Sequence, residues 1–242
     1  MHIKLKIITS KPIAIALKLI LIVLILWVLV FCIYLIYEQY IIYKTEQTFN
    51  LLKDAYQKTV ETSNFQWEEG KMNTDVLAEA FIKNLPVEKV CKYENDGTCF
   101  AKRTYFTADA INTKGNAIVL MLTYKALLNN GIGIAIRNVS PTCDTVRDRC
   151  GEVYIDVNGP SNGPNRLSRD IFDFAIYKDK VDTYDIEANH FPNCVYGGGH
   201  ACAAYLLQFR NRNYKSYKNY VKRHNVQFVN MTNPYEKSPF SH

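Results

Sequence analysis

Nineteen consecutive residues, Leu19 to Tyr37 (LILIVLILWVLVFCIYLIY), carry no charge. About twenty apolar residues at 1.5 Å rise span the hydrocarbon core of a bilayer, and a helix that is apolar on every face does not suit the surface of a soluble domain. The run predicts a transmembrane helix with the lipid bilayer as its partner. Lys4, Lys6, Lys11 and Lys18 precede it and Glu38 follows it, so the positive-inside rule predicts a cytoplasmic N-terminus and a head on the far side. Tyr34, Tyr37, Tyr40 and Tyr43 fall toward the outer end, where amphipathic rings favour the membrane interface. A cleavable signal peptide has an apolar region of about 7 to 15 residues and a small-residue cleavage site, and neither occurs here. Cys32 reads as a small apolar residue within the span; Phe31 is a poor neighbour for a lipid-modified cysteine.

Beyond the interface the pattern becomes amphipathic. Phe49, Leu52, Ala55, Tyr56 and Val60 recur at helical spacing with Lys53, Asp54, Lys58 and Glu61 between them. No Pro or Gly occurs from Ile13 to Trp67, so one helix of about fifty residues is expected to run to about Asn64. The stripe is too short for the heptads of a coiled-coil stalk. The chain divides into a basic N-terminus (1–18), a transmembrane helix (19–43), its amphipathic continuation (44–68) and a globular head (69–242).

Within the head, Thr74 and Asp75 start a short helix with Val76, Leu77, Ala80 and Phe81 on one face, ending before Pro86. Three segments then alternate apolar with polar or small residues: 131–138 (GIGIAIRN), 152–159 (EVYIDVNG) and 170–177 (DIFDFAIY). This is the signature of a sheet with one covered face, and the helix stripe is the natural cover. The predicted fold class is α+β: a long N-terminal helix, half span and half spine, packed on a small antiparallel sheet. Only the tail after about Gln227 reads as loosely ordered.

Apart from Cys32 the cysteines fall into three close pairs, Cys91 with Cys99, Cys143 with Cys150, and Cys194 with Cys202. Six cysteines permit fifteen connectivities; local pairing is favoured because each pair brackets a loop rich in turn formers. An exported compartment is oxidising, so topology and cysteine usage support each other. Zinc at Cys194, His200 and Cys202 is the rival reading, but its ligands are usually spaced two to four residues apart. The net charge of +6 is spread along the chain, which fits solubility better than nucleic-acid binding. The run from Arg210 to Arg223 is the only local support for the latter.

The stretch CGEVYIDVNGPSNGPNRLSRDIFDFAIY (150–177) resembles the Val-Asp-Val-Asn-Gly, Gly-Pro-Asn, Gly-Arg-Asp-Ile-Phe segment of many type IV pilin-like proteins, a group that includes type II secretion pseudopilins. CVYGGGHACAAYLLQ (194–208) is similar to their C-terminal Gly-x-x-Cys-Ala-Ala element. With the helix, the likeness covers about half of the chain. It implies a helix packed on an antiparallel sheet and other pilin-like subunits as partners through the N-terminal helix. The sequence departs from the group at its start: no Gly precedes the span and no glutamate occurs before Glu38, so leader trimming and ordinary filament assembly do not follow from the resemblance.

One loop collects hard oxygen donors: Asp156, Asn158, Asn162, Asn165 and Asp170. Ca²⁺ takes six to eight oxygens, so the loop is a candidate calcium site, although it lacks EF-hand spacing. The competing and favoured reading is a tight Asn, Gly and Pro connection between strands, with no cofactor. His190, His200 and His224 lie in no nucleophile–base arrangement, and the GGGH string (197–200) lacks the Gly-x-Ser-x-Gly elbow, so no catalytic residue is assigned. The expected function is structural: a non-enzymatic, membrane-anchored pilin-like subunit of a pilus, secretion pseudopilus or DNA-uptake system in a bacterial inner membrane, its head periplasmic or extracellular. The alternative is an anchored extracytoplasmic ligand-binding or hydrolytic domain, for which a deep polar cleft would speak.

Overall fold

The computed structural model describes residues 11–62, 65–68, 71–106, 117–118, 122–140, 142–143, 149–184, 194, 199 and 202–212. Its elements are α1 (Lys11–Val60), α2 (Thr74–Ile82), strands β1 (Val87–Lys92), β2 (Thr104–Tyr105), β3 (Ala117–Ile118), β4 (Tyr124–Leu128), β5 (Gly133–Asn138), β6 (Gly151–Asp156), β7 (Ile171–Ile176) and β8 (Val181–Asp182), and a last helix α3 (Cys202–Phe209). The fold is α+β, with a long N-terminal helix, an antiparallel sheet and disulfide-closed loops. The chain forms two compact units, 1–40 and 41–242, and α1 contributes to both.

In the first unit the helix exposes apolar side chains in every direction, from Ile13 and Ile15 through Trp27 and Val30 to Ile36 at 69%. It is the one helix among the described residues long and apolar enough to cross a membrane. Tyr34, Tyr37 and Tyr40 are exposed here, and so is Tyr43 at the start of the second unit. Cys32 is free and exposed.

In the second unit six strands form one antiparallel sheet in the order β1-β4-β5-β6-β7-β8. Side chains alternate between sheet faces, and the register sorts them. Ile134 and Ile136 of β5, Val153 and Ile155 of β6, and Phe172, Phe174 and Ile176 of β7 share one face. They join Ile41, Ile42, Leu52, Ala55 and Tyr56 of α1, Leu77 and Phe81 of α2, and Ala203 and Leu206 of α3 in the main core. Phe49 stacks on Phe174 with centroids 4.8 Å apart, and the Tyr56 hydroxyl donates to the Tyr177 carbonyl at 2.9 Å. Leu52, Ala55 and Tyr56 of the expected stripe are thus fully buried, with Phe49 and Val60 partly so.

α1 ends at Val60 rather than Asn64. α2 starts one residue inside its cap: the Asn73 side chain accepts from the Val76 N–H at 3.0 Å, satisfying one of the free amides of the first turn. The buried face of α2 is Leu77, Ala78 and Phe81, and Val76 is exposed.

The expectation of a sheet with one covered face is corrected by the structure. β6 and β7 are buried at every position. The second face holds Lys125, Ala135, Arg137, Glu152, Tyr154, Asp156, Ile171 and Asp173, as the register requires. Phe100, Ala101 and Leu167 cover it, packing with Ala135, Tyr154 and Ile171. The covering segments are pinned by backbone bonds from Tyr105 N–H to the Asn165 carbonyl (2.8 Å) and from Leu167 N–H to the Tyr105 carbonyl (2.9 Å). Gly133 permits this approach: a Cβ there would stand 2.5 Å from the Cys99 carbonyl oxygen, closer than packed atoms tolerate.

Candidate functional site on the covered polar face

Because the second face is closed over, the polar residues that alternation placed in solvent must find partners inside the protein. The register sets Arg137 beside Glu152. Arg137 Nε donates to Glu152 Oε2 at 2.6 Å, the Tyr154 hydroxyl donates to the same oxygen at 2.8 Å, and Arg149 Nε pairs with Oε1. The Glu152 side chain is 3% exposed, whereas those of Arg137 and Arg149 are 37% and 38% exposed. Burial pushes the Glu152 carboxyl up, but Arg149 and Arg137 outweigh it and hold its pKa below the ordinary value. The Arg149 guanidinium also lies over the Tyr184 ring at 5.5 Å. On the same face Lys125 is buried, its Nζ donating to the Thr123 carbonyl at 3.3 Å, and burial lowers its pKa.

A second polar group occupies the end of this face, where the 157–170 connection joins β6 to β7. Asp170 organises the connection: its Oδ2 accepts from the Asn165 N–H and its Oδ1 from the Arg166 N–H, both at 2.7 Å. Asn162 Nδ2 donates to the Asn158 carbonyl at 2.6 Å, and Asn158 Nδ2 donates to the Gly163 carbonyl at 2.9 Å. The Gly163–Pro164 peptide is cis, and Asn165 adopts a φ of 53°, a conformation asparagine tolerates better than most residues. The strand-connecting role expected of the Asn and Gly residues is therefore met. Asn162 is exposed, while Asp156 and Asp170 are fully buried.

Asp156 is not explained by the connection. Both its carboxylate oxygens are buried and neither completes a hydrogen bond. Burial, and after it the like charge of Asp170, pushes its pKa up to about 8; the amides of Ala101 and Gly159 oppose this only in part. The Asp170 carboxyl is also raised, by burial, against its hydrogen bonds. Asn158 Oδ1 and Asn165 Oδ1 are likewise buried without a hydrogen-bond partner. Two carboxylates and two amide oxygens thus gather at one end of the sheet.

The six head cysteines form the three local disulfides Cys91–Cys99, Cys143–Cys150 and Cys194–Cys202. The last bond consumes the thiolates that zinc would need. Gly199 has a φ of 104°, and a Cβ on it would meet the Leu167 side chain at 2.9 Å, so this part of the GGGH string is a packed turn. His190, His200 and His224 and the tail after Gln227 lie outside the described residues. Of the basic run, Arg210 pairs with Glu46 at 3.0 Å, and Arg212 donates to the Arg169 carbonyl.

The Arg137–Glu152–Arg149 network escaped sequence reasoning. Its signal is the polar alternation Glu152, Tyr154 and Asp156 along β6, which reads as a solvated face unless the covering loops are known. Comparison with protein-family models found no match, and neither did comparisons with curated proteins or with solved structures.

Proposed function

We propose that the chain is a membrane-anchored, pilin-like structural subunit of a type IV pilus, a type II secretion pseudopilus or a DNA-uptake system. The observation that carries the proposal is the double character of α1. One stretch is apolar on all sides, and the stretch from Ile41 to Val60 is a core element of an antiparallel sheet. A helix of the first kind is stable in lipid or against other apolar helices, so its surface is the working part. The lysines before the span favour a cytoplasmic N-terminus, and three disulfides favour an oxidising compartment for the head. The segment from Cys150 to Tyr177, which carries the pilin-like resemblance, forms β6, β7 and their connection. Arg210 and Arg212 are engaged within the head, which agrees with a role that does not depend on nucleic-acid contact.

Helix-to-helix assembly is tested in membranes by cysteine walking. In a Cys32→Ser background, single cysteines at Val23, Trp27, Val30, Ile33 and Ile36, all exposed on the helix, are oxidised and resolved without reduction. The proposal expects disulfide-linked dimers at positions on one side of the helix. Monomers at every position overturn assembly through this surface.

A further inference from the structure

We propose that the basic, tyrosine-rich segment that follows α3, residues 213–223, docks on the headgroups of anionic phospholipids in the same bilayer that holds α1. The proposal rests on the membrane-anchored reading of α1 and adds to it a second, electrostatic attachment.

Lys and Arg are spread along the chain, but their excess over Asp and Glu is not. Six of the 29 Lys and Arg lie between Arg210 and Arg223, and none of the 23 Asp and Glu does, so this segment accounts for the net charge of +6. The first two are used inside the head. Arg210 pairs with Glu46 at 3.0 Å, and Arg212, 8% exposed, donates to the Arg169 carbonyl. Lys215, Lys218, Lys222 and Arg223 follow, with Tyr214, Tyr217 and Tyr220 at every third position among them. Lysines interleaved with tyrosines suit a bilayer surface on both counts. Tyrosine rings favour the membrane interface, and Lys and Arg lay their methylene stems along apolar surface while the charges stay at headgroup level. Each such cation near an anionic surface strengthens attachment about fivefold.

Place decides between lipid and other polyanions. The chain leaves α3 at Arg210, whose φ of 49° is the left-handed conformation of a helix end, and the pair with Glu46 fixes that end beside α1. Glu46 lies three residues past Tyr43, the last residue of the predicted span, which is about 4.5 Å along the helix axis. Tyr43 itself is exposed. From Arg212, about 10 Å of extended chain reaches Lys215 and about 36 Å reaches Arg223. The four cations are therefore tethered within reach of the headgroups, at an effective concentration in the mM range. A polyanion in solution has no such advantage.

The test uses the full-length chain carrying Cys32→Ser and Ser216→Cys, with an environment-sensitive fluorophore on the introduced cysteine. The labelled chain is reconstituted into vesicles of phosphatidylcholine alone or with one third phosphatidylglycerol. Flotation with the neutral vesicles reports the anchor independently of the segment. The label should shift to the blue, and become quenchable by brominated lipid, in the anionic vesicles only. Both effects should vanish at about 1 M salt, where the screening length falls to about 3 Å. Lys218→Gln should lower the ratio of shifted to unshifted label about fivefold, Lys218→Arg should preserve it, and Gln at all four cations should abolish the shift. Flotation without a lipid-dependent shift overturns the proposal and leaves the anchor standing, as does a fourfold Gln variant that shifts like the parent. Failure to float with neutral vesicles overturns the anchor and the proposal with it. A DNA duplex bound through these cations at about 1 µM or tighter in physiological salt, beyond the non-specific range, assigns the segment to nucleic acid and also overturns the proposal.

Discussion

Glu152→Gln isolates the polar face that the covering loops enclose. Gln keeps the volume and one acceptor but removes the charge that two guanidiniums share, and it points an N–H₂ group at one of them. Breaking a buried ion pair from one side costs about 3 to 5 kcal/mol. Glu152 meets the condition of burial, with its side chain 3% exposed, but Arg137 and Arg149 are each more than a third exposed and can turn toward water. The low end applies, about 3 kcal/mol, which lowers the melting temperature of a chain this size by about 6 to 12 °C. The pH dependence carries the sign. Glu152 is held below its ordinary 4.5 in the folded state, because Arg149 and Arg137 outweigh the effect of burial. Its stabilisation is therefore fully present above the ordinary carboxylate range and is lost as pH falls through the lowered value. Denaturant melts of wild type and Glu152→Gln from about pH 7 down to pH 3 measure the gap across this range. It should be about 3 kcal/mol at neutral pH and close at the acid end. A gap under about 0.5 kcal/mol at neutral pH, the scale of an ordinary surface substitution, refutes the network as a stabilising element. A gap that ignores pH refutes its ionic nature.

Two further outcomes follow from the covering loops. Replacing Cys91 and Cys99 together with Ser opens a loop of sequence separation 8; the chain-entropy relation gives a loss of about 2.6 kcal/mol, read as a lower denaturant midpoint. Gly133→Ala places a Cβ 2.5 Å from the Cys99 carbonyl and should cost about 1 to 3 kcal/mol as overpacking, with greater protease sensitivity in the 99–106 segment.

What the sequence discloses and what it conceals divide along physical lines. The long helix is legible because an all-apolar run and an amphipathic stripe are each an unmistakable pattern, and β5 to β7 because their Ile, Val and Phe recur at every second position. β1 (VEKVCK) is hidden by its place at the sheet edge, where most side chains are exposed, so no alternation marks it. β4 (YKALL) is hidden by Lys125, which reads as surface yet is buried. α3 is eight residues long and apolar on most sides, a pattern that helix and strand share. The oxygen-rich connection is visible as composition. That Asp156 beside it is fully buried depends on Phe100, Ala101 and Leu167 closing the face, and no local spacing encodes contacts so distant in the chain.

The central claim is a lipid-held rod bearing an oxidised head outside the cytoplasm. The direct measurement treats intact spheroplasts with protease and, in a parallel sample, alkylates the denatured chain without reduction before weighing it. The account predicts that the head is digested while an N-terminal fragment survives in the membrane, and that the whole chain takes up one alkyl group, at Cys32, the free cysteine beside three disulfides. A protected head whose cysteines all take up label would contradict it.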